Sequence, residues 1–162
     1  MKKRNLSVLI ASCIVGTSAI FIQSESVHAC LVEPCPAWPI RVNVNFGNTL
    51  VYEQNAGVCT VLDRNNRVIQ KSASCRKTWH QITYTANKLL FYDRQAGEIE
   101  VYNINKQGIS NRLQRFTHAQ NRVRKTWAQI NSPREGVITF KDDNGQVENY
   151  SLQDSGIIAR IK

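Results

Sequence analysis

A stretch of seven residues in this chain recurs with a single change. Arg76-Lys77-Thr78-Trp79-His80-Gln81-Ile82 returns 48 positions later as Arg124-Lys125-Thr126-Trp127-Ala128-Gln129-Ile130, with six of the seven residues unchanged. The same spacing carries Leu90-Phe91-Tyr92 onto Ile138-Thr139-Phe140, and Gly97-Glu98-Ile99-Glu100-Val101-Tyr102 onto Gly145-Gln146-Val147-Glu148-Asn149-Tyr150, with no gap. A fixed period of this length marks a repeat architecture, in which each unit buries its apolar face only by stacking on a neighbour. A fainter first unit precedes these two. Trp38-Pro39-Ile40 stands for Trp79 to Ile82, Leu50-Val51-Tyr52 for Leu90 to Tyr92, and Gly57 to Val61 for Gly97 to Val101. The units then cover roughly 38–75, 79–123 and 127–162, and the chain's three tryptophans share one place in the unit.

Each unit reads as four short strands. In the second they are expected at Thr78–Thr83, Lys88–Tyr92, Glu98–Asn103 and Ile109–Phe116. Ile99, Val101 and Asn103 point one way and Glu98, Glu100 and Tyr102 the other, the two-residue alternation of a strand. Asp93-Arg94-Gln95-Ala96-Gly97, Asn105-Lys106-Gln107-Gly108, Asp142-Asp143-Asn144-Gly145 and Asp63-Arg64-Asn65-Asn66 supply residues suited to tight turns. The polar stretch from Asn111 to Arg124 also suits a helix, but the neighbouring copies favour a strand and a long loop. The class is therefore all-β, with three four-stranded repeats. Two architectures fit: a β-trefoil monomer, or propeller-type blades closed into a ring by oligomerisation.

Four phrases carry a resemblance. Trp79-His80-Gln81-Ile82, Leu89-Leu90-Phe91-Tyr92-Asp93, Gly97 to Tyr102 and Arg124-Lys125-Thr126-Trp127 together resemble the blade repeats of tachylectin-type and related bacterial lectin propellers. The likeness runs from Trp79 to Tyr150 and is faint over Trp38 to Cys75. It implies a sugar-binding module with pockets between blades. The chain departs from such lectins in having three units, and no repeated polar triplet stands out in the sequence.

Met1-Lys2-Lys3-Arg4 precedes an uncharged run from Leu6 to Ile22, followed by Ser24-Glu25-Ser26-Val27-His28-Ala29. This order is that of a secretory signal peptide over 1–29, so the mature domain is expected over 30–162, secreted or periplasmic. His28 sits poorly in a lipoprotein signal, which would acylate Cys30. Cys13 leaves with the signal, and Cys30, Cys35, Cys59 and Cys75 remain. An even number in an exported chain points to disulfides. Three pairings are open, and Cys30–Cys35 with Cys59–Cys75 closes the shortest loops.

The net charge is +9. Arg76, Lys77, Arg112, Arg115, Arg122, Arg124 and Lys125 make up a basic cluster suited to anionic polymers, or to a solvated basic face. Export argues against a nucleic-acid partner. No catalytic constellation, metal site or cofactor is expected: His80 is replaced by Ala128 in the next copy, and Asp142 to Gly145 has the residue types of a hairpin turn. The ligand-contact candidates are Trp79, Trp127, Tyr92, Tyr102, Tyr150, Glu100 and Glu148. The tryptophans fit a stacking platform for sugar, but a residue repeated in every unit fits a core between units at least as well. The expected function is an exported, non-enzymatic, lectin-like module recognising a glycan or an anionic cell-surface polymer. The alternatives are a protein-interaction or inhibitor module whose partner is a secreted or envelope protein, and a basic surface-binding toxin. Homo-oligomers accompany the blade architecture.

Overall fold

Lys88-Leu89-Leu90-Phe91-Tyr92-Asp93 breaks the polar–apolar alternation of a half-buried strand, and all six residues are buried. A strand of this kind needs apolar cover on both faces. The computed structural model describes residues 38–162 except 73, 121, 122 and 162, and it provides that cover. The expected signal peptide, the expected Cys30–Cys35 bond and Arg122 lie outside the described residues.

The first sheet comprises β1 (Ile40–Asn43), β2 (Thr49–Glu53), β3 (Val58–Leu62) and β4 (Val68–Ser72). The second comprises β5 (Gln81–Thr85), β6 (Lys88–Asp93), β7 (Glu98–Asn105) and β8 (Gly108–Thr117). The third comprises β9 (Trp127–Arg134), β10 (Val137–Asp142), β11 (Val147–Leu152) and β12 (Ile158–Arg160). Each is an antiparallel meander whose spatial order follows the sequence. The segment with helical potential is β8 followed by one 3-10 turn, His118–Gln120. The expected trefoil is not found. A trefoil joins hairpins of its three units into a common barrel, whereas every strand ladder here pairs strands of one unit.

The sheets meet face to face. Leu50, Tyr52, Cys59 and Val61 of the first pack on Trp79, Leu89, Phe91 and Ile104 of the second. Leu90, Tyr92, Ile99, Val101 and Phe116 then pack on Trp127, Ile130, Ile138, Phe140 and Leu152 of the third. Within β6, Leu89 and Phe91 serve the first junction and Leu90 and Tyr92 the second. Polar staples cross both junctions. The Tyr52 hydroxyl donates to the Arg76 carbonyl at 2.6 Å, and that of Tyr92 to the Arg124 carbonyl at 2.7 Å. Gln70 holds Ile109 through both its carbonyl oxygen (2.6 Å) and its amide nitrogen (2.9 Å).

The gap-free alignment of units two and three does not survive in the strand registers. Ile82 faces Phe91, and Ile130 faces Phe140. Phe140, rather than Thr139, therefore fills the place of Phe91. One extra residue enters the β9–β10 hairpin, where the register breaks between Val137 and Thr139. The next turn is shorter, with the Asp142 amide reaching the Gln146 carbonyl at 2.9 Å. The slip puts a phenylalanine into the core, because a one-residue shift turns every side chain of a strand to the other face.

Candidate site between the first and second sheets

Register places Trp38, Trp79 and Trp127 alike, each leading into the first strand of its sheet. Trp79 and Trp127 follow a sheet and wedge against it, leaving 3% and 2% exposed. Trp38, with no described sheet before it, is 79% exposed. The Arg76 guanidinium lies 5.0 Å over the Trp79 ring, and Trp127 stacks on Phe140 at 4.0 Å. Trp79 and Trp127 are thus packed as core rings that also touch cavity walls. Tyr92 is fully buried and serves as a staple, so it is likewise no surface contact.

Beside Trp79 the first and second sheets enclose a cavity of about 300 Å³. The first sheet contributes Gln70, Ser72 and the stretch to Ser74 and Cys75. The second contributes Phe91, Glu100, Tyr102, Ser110 and Arg112. The Cys59–Cys75 disulfide, expected from the sequence, forms part of the wall with Cα atoms 5.9 Å apart.

The floor of this cavity is an ionic cluster. The Glu100 side chain is 3% exposed. Its Oε1 accepts from Arg76 at 3.1 Å and Arg112 at 3.0 Å, and its Oε2 accepts from the Tyr102 hydroxyl at 2.6 Å. Glu98 accepts from Arg115 at 2.6 Å and also pairs with Arg76. Charge-assisted bonds of this kind hold both partners in one geometry. Burial pushes the Glu98 carboxyl up, but hydrogen bonds from Arg76 and Arg115 outweigh it and hold the group below its ordinary range. The bond to Glu98 is the largest influence raising Arg76. Burial first, and then the bond to Glu100, pushes the Tyr102 hydroxyl up to about 12.

The basic cluster is therefore largely paired. Arg76, Arg112 and Arg115 converge on Glu98 and Glu100, three cations on two anions. Lys77 and Lys125 lay their aliphatic stems against Gly57 and Gly97, whose positive φ of 66° and 68° and close neighbours leave no room for a Cβ. Asp142 caps its own turn, its Oδ1 accepting from the Asn144 and Gln146 amides. His80 and His118 sit at turns and bond backbone groups, the Arg94 amide and the Val123 carbonyl.

A repeated polar constellation does exist. Glu148 accepts from Arg124 at 2.8 Å, from the Tyr150 hydroxyl at 3.0 Å, and pairs with Arg160 at 3.3 Å. Arg76, Glu100, Tyr102 and Arg112 thus recur as Arg124, Glu148, Tyr150 and Arg160, all at the period of the repeat. Sequence reading found three of these positions and missed Arg160 (the spacing carried past Tyr150 points straight to it). Gln70, Ser72, Ser74 and Ser110 were also missed, since serines and glutamines carry no signal until two sheets bring them to one wall.

No family model and no curated protein sequence matches the chain. Solved structures do. The chain is similar to Saccharomyces cerevisiae Sqt1 (TM-score 0.55, 9% identity) over 74% of its own length and 32% of that chain. It is similar to the Myceliophteria thermophila Cps50 (Swd1) beta-propeller domain (TM-score 0.50, 13% identity) over 76% of its length and 42% of that chain. Kluyveromyces lactis Hsv2 matches at TM-score 0.51 and 10% identity, over 75% of this chain and 44% of the other. The chain spans less than half the length of each. At these identities the likeness shows the fold, a propeller-like stack of four-stranded sheets, and it gives the lectin resemblance no separate support.

Proposed function

We propose that this chain is an exported, non-catalytic binding module whose cavity between the first and second sheets takes an acidic sugar of a cell-surface glycan. One observation carries the reading: a cavity of about 300 Å³ with serine hydroxyls and a glutamine amide on its walls and a buried carboxylate ringed by arginines in excess. Such a wall donates hydrogen bonds to sugar hydroxyls, and the surplus positive charge answers a carboxylate or sulfate. The sheet stack supports a binding or scaffold role without specifying the ligand. The charged leader and the Cys59–Cys75 bond support export to an oxidising compartment.

The oxidised mature protein is to be screened against acidic and neutral glycans, with positives measured by calorimetry. Acidic sugars are expected to bind, and Arg112→Gln to weaken them by about tenfold, the worth of one charged hydrogen bond. Retention of neutral glycans alone, or affinity indifferent to Arg112→Gln, would count against the reading. Trp38 favours a second reading, a module that docks a protein, because a tryptophan 79% exposed is an interface anchor in want of a pocket. A defined partner bound by the wild type and lost in Trp38→Ala is the result that reading requires.

A further inference from the structure

The second and third sheets enclose a cavity of their own, of about 340 Å³. It is the counterpart of the first by register. Trp127, Phe140, Tyr150 and Ile158 stand where Trp79, Phe91, Tyr102 and Ile109 stand in the first cavity, Ile158 facing Leu152 as Ile109 faces Ile104. At two positions the chemistry is exchanged. Ile99 replaces the disulfide cysteine Cys59, and Phe116 replaces Ser72. The two junctions have one frame, and the second carries more apolar side chains on its wall.

We infer that this second cavity is a separate binding site for a small carboxylic acid with an aromatic or branched aliphatic body. An apolar cavity of ~150 Å³ already holds benzene, and this one is larger. It also reaches solvent, since Ile157 at its rim is 41% exposed. The rim is set rigidly. Gly156 has φ +82°, and a Cβ there would lie 2.7 Å from the Leu113 side chain, so the turn carrying Ile157 is locked onto β8. The charged end follows from the ionic cluster at the same junction. Tyr150 lines the cavity and donates to Glu148, and Glu148 faces Arg124 and Arg160 together. One carboxylate against two guanidiniums leaves one positive charge. Both arginines are more than half exposed, and Tyr150 links their cluster to the cavity wall. A ligand with an apolar body and one carboxylate satisfies both features, whereas a neutral sugar satisfies neither. The inference stands apart from the glycan reading, whose cavity lies on the other face of the second sheet.

The test uses 3-phenylpropanoate as probe, followed by calorimetry and by Trp fluorescence on the oxidised protein, with 3-phenylpropanol as the uncharged control. Saturable binding is expected, weaker by about tenfold for the alcohol and for Arg160→Gln, since each removes one charge-assisted contact. Ile158→Ser, which puts a hydroxyl into the apolar wall, is expected to abolish binding while the melting transition persists. Ser110→Ile changes the first cavity instead and is expected to leave the probe's affinity unchanged. Absence of saturable binding overturns the inference. So does binding that survives Ile158→Ser, or that Ser110→Ile alters.

Discussion

Tyr52, Tyr84, Tyr92, Tyr102 and Tyr150 are all the tyrosines of the chain, and burial is the first cause raising each of them, Tyr92 and Tyr102 to about 12. The sign of the consequence is fixed. The folded state holds these protons more tightly than the unfolded chain, so the stabilisation is complete below pH 10 and is lost as pH climbs from 10 towards 12. An alkaline titration read by phenolate absorbance and by far-UV circular dichroism is expected to show little phenolate at pH 10. The phenolate signal should then rise together with loss of sheet structure. Ordinary titration of all five on an intact fold would contradict the burial described here. At this scale sequence reading offered Glu100, Glu148, Tyr102 and Tyr150 as ligand contacts, and both carboxylates are buried in ionic clusters. It mistook Tyr92, whose ring alternation alone does not reveal that both faces of β6 are covered.

Sheets, rather than residues, explain the tryptophans. Three identical places in the repeat have different surroundings, because a wedge needs a preceding sheet. Trp127→Ala removes a ring that contacts Tyr92, Phe140 and Tyr150 and is expected to cost about 3–5 kcal/mol, the usual loss for an aromatic core truncation. Trp38→Ala, at an exposed ring, is expected to stay within about 0.5 kcal/mol. Chemical denaturation of the two variants side by side separates these outcomes, and equal losses would mean that Trp38 is also packed. The repeat announced the strands of each sheet and most of their turns. The expected start of β5 at Thr78 was early, since Arg76 to His80 forms the approach that seats Trp79, and the strand begins at Gln81. The extra residue in the β9–β10 hairpin was hidden because a compensating shortening follows it and restores the spacing.

The whole stack has unequal ends. On the outward face of the third sheet Thr139, Lys141 and Asn149 occupy the places that Leu90, Tyr92 and Val101 hold in the second, and Lys141 and Asn149 are exposed. A polar outer face is how a terminal repeat of a stacked array stays in water. Head-to-tail closure of several chains into a ring would bury Lys141 and Asn149 without partners, which is costly. Light scattering after size exclusion is therefore expected to give the mass of one chain. A defined ring that dissociates on Val147→Glu, on the same face, would overturn that expectation.

The period of 48, the alternation within units and the turn residues fixed the all-β class and the number of four-stranded units, because local pattern determines which residues pair as strands. Close spacing pointed to Cys59–Cys75, one of three pairings left open. How the units join was decided only in three dimensions. Trefoil and stacked sheets demand the same strands and differ in which faces meet, and no local pattern records that. The sites follow from the same cause. A cavity belongs to two sheets at once, so its chemistry depends on residues such as Ser72 and Phe116, unremarkable in sequence, that packing brings against the repeated Arg-Glu-Tyr-Arg clusters.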